Sequence, residues 1–322
     1  VGIQAEKRPK LIVILGPTAS GKSALGIAMA QQFEGEIVSA DSRQVYRGLD
    51  IGTAKVTPEE RALVPHHLLD VVEPTEIYTV AEFQQAARSA IAAIVQRNHL
   101  PLLVGGSPHY IQTVVDNFDI PTVAPQMELR AQLETLPLAD LLRQLDTLDP
   151  QSAAVIDRHN PRRVIRALEV CLVTGKPFSQ QRGIAHPLYR TLQLGIEWPR
   201  DVLYARIDQR LDERFQQGMI QEVREQLERG ISYERLDALG LEYRFVSRWL
   251  RGEFSSEAEM RQRLKYASHD FTRRQLSWFR RNKRIIWLPG DKDLQQQAQT
   301  AVQSFLSAEV DIDADTDTQV VP

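Results

Sequence analysis

The clearest apolar run in the chain is Lys10 to Leu15 (KLIVIL), too short for a helix and closed by glycine, so it reads as a buried strand. Beyond the segment Gly16-Pro17-Thr18-Ala19-Ser20-Gly21-Lys22-Ser23, residues Ala24 to Phe33 take on helical character. Glu36 to Ser39, Leu68 to Val72 and Pro101 to Val104 read as further short strands, the last ended by Gly105-Gly106. Between the third and fourth strands, Val80, Phe83, Ala87, Ile91, Ile94 and Val95 recur at helical spacing within Val80 to Arg97. Strands alternating with helices imply parallel βαβ units and an α/β fold.

The pattern changes after about Ile120. No strand is legible as far as Tyr189, while Leu129 to Leu145 and Arg163 to Val173 read as helices. Leu192 to Trp198 returns to strand character. Val202 to Leu227 reads as a charged helix, Glu257 to Arg281 as a long basic one, and Ile285 to Leu288 as a last strand rejoining the sheet. There is no internal repeat. The predicted organisation is an α/β core of residues 1–118 and 191–304, a helical insertion of residues 119–190 and an acidic tail, 305–322.

A chain of 322 residues with 43% hydrophobic and 25% charged residues has an ordinary globular composition and can bury a large core without disulfides. It carries one cysteine, Cys171, and no signal-type segment, which points to a reducing, cytoplasmic setting. No apolar run approaches the ~20 residues of a membrane span, and a monomer is expected. The chain opens on Val1 rather than Met, consistent with a trimmed start. The net charge of -3 argues against a nucleic-acid binder, but it is unevenly placed. Glu309, Asp311, Asp313, Asp315 and Asp317 lie in the last fourteen residues, which hold no base. Residues Arg261 to Arg284 hold nine Lys or Arg against one acid, Asp270. A tail poor in large apolar groups is expected to be disordered, and placement bears on partners more than net charge does.

Gly16 to Ser23 matches G-x-x-x-x-G-K-S between a strand and a helix. Glycines let backbone N–H groups wrap a phosphate at the helix N-terminus, Lys22 neutralises an oxygen, and the Ser23 hydroxyl suits Mg²⁺. The core is therefore a P-loop NTPase-like sheet with a helical insertion. The motif identifies a phosphate or diphosphate, not the molecule that carries it. Asn282-Lys283-Arg284-Ile285 fails as a GTPase base-reading motif at its last position. Asp41 lies just past the second strand, where ligands bind in open α/β sheets. It could bind Mg²⁺, act as a general base, or simply cap a turn.

Together, GPTASGKS and Val38 to Lys55 (VSADSRQVYRGLDIGTAK) resemble the signature of the tRNA dimethylallyltransferases. Further matches follow in order: His66 to Asp70 (HHLLD), Tyr78 with Phe83, Pro101 to Gly106 (PLLVGG) and Arg162 to Val170 (RRVIRALEV). Thr174-Gly175, Arg206 within YARIDQR, Ala238-Leu239-Gly240 and Arg273 to Trp278 (RRQLSW) complete the set, covering about residues 10 to 290. The resemblance implies transfer of a dimethylallyl group from dimethylallyl diphosphate to N6 of the adenine at tRNA position 37, with Mg²⁺. The loop of Gly16, Pro17, Thr18, Ala19, Ser20, Gly21, Lys22 and Ser23 would then hold the donor's diphosphate rather than ATP, assisted by Arg206. Asp41 would be the general base.

By the same resemblance, Asp41, Ser42, Arg43, Gln44 and Ser107 match tRNA-contacting positions. So do Arg130 and the run His159, Asn160, Pro161, Arg162 and Arg163, and the insertion is expected to grip the anticodon stem-loop. In the basic segment the matches are Arg273, Arg274, Gln275, Trp278 and Arg280; its aromatics Tyr266, Phe271, Trp278 and Phe279 are expected mostly in the core. Some positions depart from the family pattern. Ser107-Pro108-His109 stands where Thr-Gly-Leu is usual, His269 where Arg is common, and Ala238 to Gly252 is about two residues longer than usual. Pro108 stiffens its turn, and His109 reads as a partly exposed helix-start residue. The rival readings are an adenylate isopentenyltransferase acting on a free nucleotide, a small-molecule P-loop kinase, and a non-catalytic RNA-binding module.

Overall fold

A computed structural model describes residues 8–121, 123–181, 183 and 186–308. Strand β1 (Lys10–Leu15) leads through the glycine loop into α1 (Lys22–Gln32). Then come β2 (Gly35–Ser39), α2 (Pro58–Leu63), the short β3 (His66–His67), α3 (Val80–Gln96), β4 (Leu100–Gly105) and α4 (Pro108–Val115). The next stretch carries α5 (Met127–Glu134), α6 (Leu138–Leu148), α7 (Pro150–Val155), α8 (Pro161–Thr174) and a 3₁₀ turn at Phe178–Gln181. The chain continues through β5 (Arg190–Glu197), α9 (Arg200–Gln216), α10 (Met219–Glu228), α11 (Tyr233–Leu239), α12 (Leu241–Leu250), α13 (Glu257–Phe279), β6 (Ile285–Pro289) and α14 (Leu294–Ser307).

The six strands form one sheet in the order β3-β2-β4-β1-β5-β6, and every pairing is parallel. Both faces are covered, so β1 is apolar from Leu11 to Leu15. Its alternate residues serve different layers: Leu11, Val13 and Leu15 pack with Phe83, Ala87, Ile91 and Ile94 of α3. Ile12 and Ile14 pack with Leu25 and Met29 of α1 and with Ala298 and Val302 of α14. A third cluster joins α9 through α13 over Val45, Tyr46 and Leu49 of the loop after β2.

The described chain divides into two compact units, one built from residues up to Val115 and from Leu188 onward, the other from Asp116–Pro187. The division falls before residue 119 and before residue 190 because Val115 ends α4 and Tyr189 is already buried in the sheet core. The second unit has its own core, with Leu133, Leu141 and Leu145 against Val164, Ile165 and Leu168.

Several elements differ from the sequence-based expectation for local reasons. The third strand is His66–His67 plus an isolated bridge from Tyr46 to Val72, not Leu68 to Val72, because Leu68 and Asp70 have φ of 63° and 55° and break the extended run. The helix read over Leu129 to Leu145 is two helices, separated at Pro137, whose missing N–H cannot continue α5. The helix read over Val202 to Leu227 divides at Gly218, with φ 104°. Residues Phe305 to Ser307, expected in the tail, belong to α14. The acids from Glu309 to Asp317 lie outside the described residues.

Candidate active site

The carboxyl ends of β1, β4 and β2 lie side by side in the sheet and deliver three loops to one edge. The first is Gly16 to Gly21. Gly21 has φ 98° at the N-cap of α1, and Ala19 takes φ 60°, a left-handed conformation seldom adopted by alanine. Two side chains, one just after β5 and one on α9, hold that shape. Trp198 Nε1 donates to Ser20 O at 3.0 Å, and Arg206 Nε donates to Ala19 O at 2.9 Å. The Arg206 guanidinium also lies over the Trp198 ring, 4.4 Å from its centre. Arg206 therefore braces the loop as well as lining the space beside it.

That space is an open cleft of about 290 Å³, lined by Gly21, Lys22, Ser23, Arg206, Arg210 and Glu60, among others. Lys22 Nζ donates to Pro17 O at 3.3 Å. Burial, opposed only in part by the Asp41 carboxylate, pushes the Lys22 ammonium down to about 8, and Arg210 and Arg214 push the same way. Arg210 is itself held down, to about 10, by burial and by Arg214. Crowded cations in a desolvated cleft are an unfilled demand for negative charge.

Arg210 was not anticipated from the sequence, although the signal was present. Arg206, Arg210 and Arg214 recur every four residues of α9 and so share one face of the helix. Arg214 is committed to Glu242 at 2.8 Å. Arg210 makes no hydrogen bond or ion pair among the described residues, and its guanidinium faces a cleft rather than a partner.

The second loop carries Asp41. Its Oδ1 accepts from Arg43 N at 2.9 Å, so the turn-capping reading is realised. Oδ2 accepts no hydrogen bond among the described residues, and a cap through one oxygen leaves the other for proton transfer. Gln44 faces inward: its amide donates to Thr53 O and Ala54 O at 3.4 and 3.1 Å and ties the Asp41 turn to the segment 50–55. That segment is anchored by Lys55, whose buried ammonium bonds Tyr46 O, Asp50 and Asp70 at 2.8, 2.5 and 2.6 Å.

The third loop follows β4. A Cβ on Gly105 would lie 2.1 Å from Ala40 O, so only glycine lets β4 pass this close beneath the Asp41 loop. Ser107 N donates to Ala40 O, and Ser107 Oγ accepts from Ser42 N at 3.0 Å. Pro108 occupies the first turn of α4, where a missing N–H costs nothing, and His109 is exposed in that turn.

The remaining candidates fall into two groups. On α13 the buried stripe is Met260, Leu264, Ser268, Thr272, Gln275 and Phe279, which leaves Arg273, Arg274 and, at the C-cap, Arg280 exposed. Tyr266 and Phe271 fall off that stripe and are exposed, contrary to expectation, while Phe279 is buried and Trp278 half-buried. Gln275 is buried, with its amide among the loops rather than on the basic face. His269, where an arginine is common, bonds Asp208 of α9 at 2.8 Å and stacks on Tyr204.

In the second unit His159, Pro161, Arg162 and Arg163 are exposed at the start of α8, with Asn160 as its N-cap. Arg130 instead bonds both oxygens of the fully buried Glu169, at 2.8 Å each, and so is committed to the core of that unit.

Residues 44–282 match the IPP transferase family. The chain is 48% identical over 303 residues to the tRNA dimethylallyltransferase of Roseiflexus sp. (strain RS-1), covering 92% of this chain and 99% of that protein. It is 45% identical over 285 residues to the tRNA dimethylallyltransferase of Thermomicrobium roseum, covering 87% and 86%. Among solved structures it is similar to the full-length tRNA isopentenylpyrophosphate transferase of Bacillus halodurans, at 35% identity, TM-score 0.68 and coverage of 92% and 98%. A eukaryotic dimethylallyltransferase captured acting on tRNA superposes with TM-score 0.80 at 27% identity, covering 93% and 80%. With the phosphate loop, the Asp41 turn and the basic helix carried on a fold shared over nearly its whole length, the chain belongs to the tRNA dimethylallyltransferase (IPP transferase) family.

Proposed function

We propose that this chain transfers the dimethylallyl group of dimethylallyl diphosphate to N6 of the adenine at position 37 of tRNA, and that Asp41, Lys22, Arg206 and Arg210 carry the chemistry. The observation that supports this most is the pairing of a cation-lined phosphate cleft with a carboxylate one loop away, whose second oxygen is unbonded among the described residues. Alkyl transfer to an amine uses both features, and the family relationship favours it over a kinase, whose hydroxyl acceptor can also give its proton to a carboxylate.

The adenine amine attacks C1 of the donor as the C1–O bond breaks, and the bonding pair leaves with the diphosphate. The nitrogen becomes acidic as it bonds carbon, and Asp41 accepts its proton. Lys22, Arg206, Arg210 and the loop amides stand fixed against the charge developing on the leaving group. The residues at the cleft fit a Mg²⁺ borne by the diphosphate rather than one caged by protein. No group of three or more His, Cys, Asp or Glu able to hold a metal occurs among the described residues, and Mg²⁺ is commonly held by few protein oxygens plus substrate phosphates. Ser23 would hold it through its hydroxyl, and when bound it neutralises diphosphate charge.

The adenine must leave its stack to reach C1, which costs less in a single-stranded loop than in a duplex. The exposed arginines of α13 supply phosphate contacts for tRNA, and within the second unit those at the start of α8 offer the same chemistry. No helix among the described residues is long and apolar enough to cross a membrane, and a monomeric cytoplasmic enzyme meets tRNA without one. The test is mass spectrometry of nucleosides and of RNase fragments from tRNA incubated with the protein, dimethylallyl diphosphate and Mg²⁺. Isopentenylated adenosine at position 37 is expected. Prenylation of free AMP in preference to tRNA, or ATP consumption without prenyl transfer, overturns the reading.

A further inference from the structure

Gln275 has no place in the chemistry above, yet its buried amide bonds two of the loops that form the site. It sits on the buried stripe of α13, one residue from the exposed Arg274. Its Nε2 donates to Gly106 O at 2.6 Å, and its Oε1 accepts from Thr18 N at 3.4 Å. The first bond reaches the loop after β4 and the second the phosphate loop. Gly106 is wedged between them: a Cβ there would lie 3.1 Å from Gln275 Nε2, 3.2 Å from Gly16 O and 3.4 Å from Lys22 Cε. The next residue, Ser107, bonds Ala40 O and Ser42 N on either side of Asp41. One buried amide thus touches the donor loop directly and the Asp41 loop through Gly106 and Ser107.

We infer that Gln275 is a positioning residue through which RNA held on α13 sets the geometry of the phosphate loop. The inference rests on the proposed reading of α13 as an RNA-binding helix. A helix drawn toward RNA by Arg273 and Arg274 moves or stiffens the amide between them and the core. Thr18 and Gly106 follow because both are bonded to it. Binding linkage is reciprocal, so RNA tightens diphosphate by the same factor as diphosphate tightens RNA.

The experiment measures affinity for inorganic diphosphate with Mg²⁺, with and without a saturating anticodon stem-loop RNA, and then the converse. The wild-type chain is expected to show a factor of about five or more in both directions, at the lower end of typical coupling. Gln275→Met keeps the side-chain volume and removes both hydrogen bonds. Its factor should fall below about twofold while RNA affinity alone stays within about twofold, and an unchanged urea midpoint establishes that it is folded. Lys265→Met removes a different contact of α13, the ion pair to Asp212 of α9, and should keep the wild-type factor.

Retained coupling in Gln275→Met overturns the inference, and so does loss of coupling in Lys265→Met, which would mark general loosening of the helix. A tenfold loss of RNA affinity in Gln275→Met with coupling intact makes Gln275 a direct RNA contact and overturns it as well. RNA binding by the wild type with unchanged diphosphate affinity defeats the inference alone. Failure of the wild type to bind RNA defeats the reading beneath it.

Discussion

Tyr243 Oη donates to Glu222 Oε1 at 2.7 Å, and that carboxylate closes the far side of the loop that follows Asp41. Glu222 also accepts from the backbone N–H groups of Asp50, Ile51 and Gly52 at 2.8, 2.7 and 3.0 Å. Burial and the neighbouring Glu222 charge push the Tyr243 hydroxyl well above its ordinary value, so it remains a donor at every working pH. Tyr243→Phe should cost about 1–3 kcal/mol, because it removes one of four donors from a buried carboxylate. Glu222→Leu should cost more, because three backbone donors lose their acceptor. Urea unfolding checks both, and equal losses would mean that Tyr243 carries the arrangement.

Asp41→Asn should lower single-turnover rate by about 10²-fold or more while leaving tRNA affinity within a few-fold. Asparagine preserves the cap to Arg43 N, so the loop keeps its shape and loses only the base. A rate within fivefold of wild type would reduce Asp41 to its capping role.

Donor affinity should fall as pH rises through about 8. Lys22 is protonated below that value in the free protein and loses its charge above it, so bound diphosphate must draw the proton back. KM for dimethylallyl diphosphate is expected to rise by up to about tenfold per unit between pH 8 and 9.5. In Lys22→Met it should be higher throughout and flat with pH. A sloped profile in the variant would assign the titration elsewhere.

Replacing Arg273, Arg274 and Arg280 together by Ala should flatten the log–log salt dependence of tRNA binding by about 0.7–0.9 for each phosphate no longer neutralised. Arg273 lies 3.0 Å from Asp270, but both are exposed, and such a pair is weak enough to yield to a phosphate. Diphosphate affinity without RNA should be unchanged. An unaltered salt slope would place the arginines away from the nucleic acid.

Acid should unfold the protein partly through Glu36. This carboxylate, 3% exposed on β2, accepts from Arg97 Nε and Nη2 at 3.0 and 2.7 Å and lies within 2.6 and 2.7 Å of His67 and His99. The Arg97 bonds, with help from the histidines and against burial, hold it down to about 2 from 4.5. The folded form therefore binds this proton less readily than the unfolded chain. Its stabilisation, about 3 kcal/mol, is complete above roughly pH 5 and is lost as pH falls toward 2. In urea midpoints, Glu36→Gln should be less stable than wild type at pH 6, with the gap closing steadily below pH 5 as the pH approaches 2. A gap that stays constant over that range would assign the acid sensitivity to other carboxylates.

The sequence was most legible where backbone need and composition coincide. An unbroken apolar strand followed by G-x-x-x-x-G-K-S has one common solution, and β1, the phosphate loop and α1 follow it. Helix α14 was not read because LQQQAQTAVQSFLS buries only Ala298 and Val302 deeply, a stripe too thin to stand out among glutamines. Arg130 and Gln275 show a different limit. Motif position marks a residue as important but does not say which way its side chain turns. That was decided by partners remote in sequence, Glu169 for one and Thr18 with Gly106 for the other.

The supports of the phosphate loop also set the order in which the protein matures. The loop leaves the ribosome well before its supports, because Trp198 and Arg206 follow 178 and 187 residues after the positions they hold, and Gln275 follows 257 residues after Thr18. Contacts of such separation form late in folding, because long loops must close before they contribute. A nascent chain that stops short of Trp198 carries the entire motif without any of these braces, and one that stops short of α13 still lacks Gln275. The loop's shape is therefore completed late in synthesis, once α13 has followed it out.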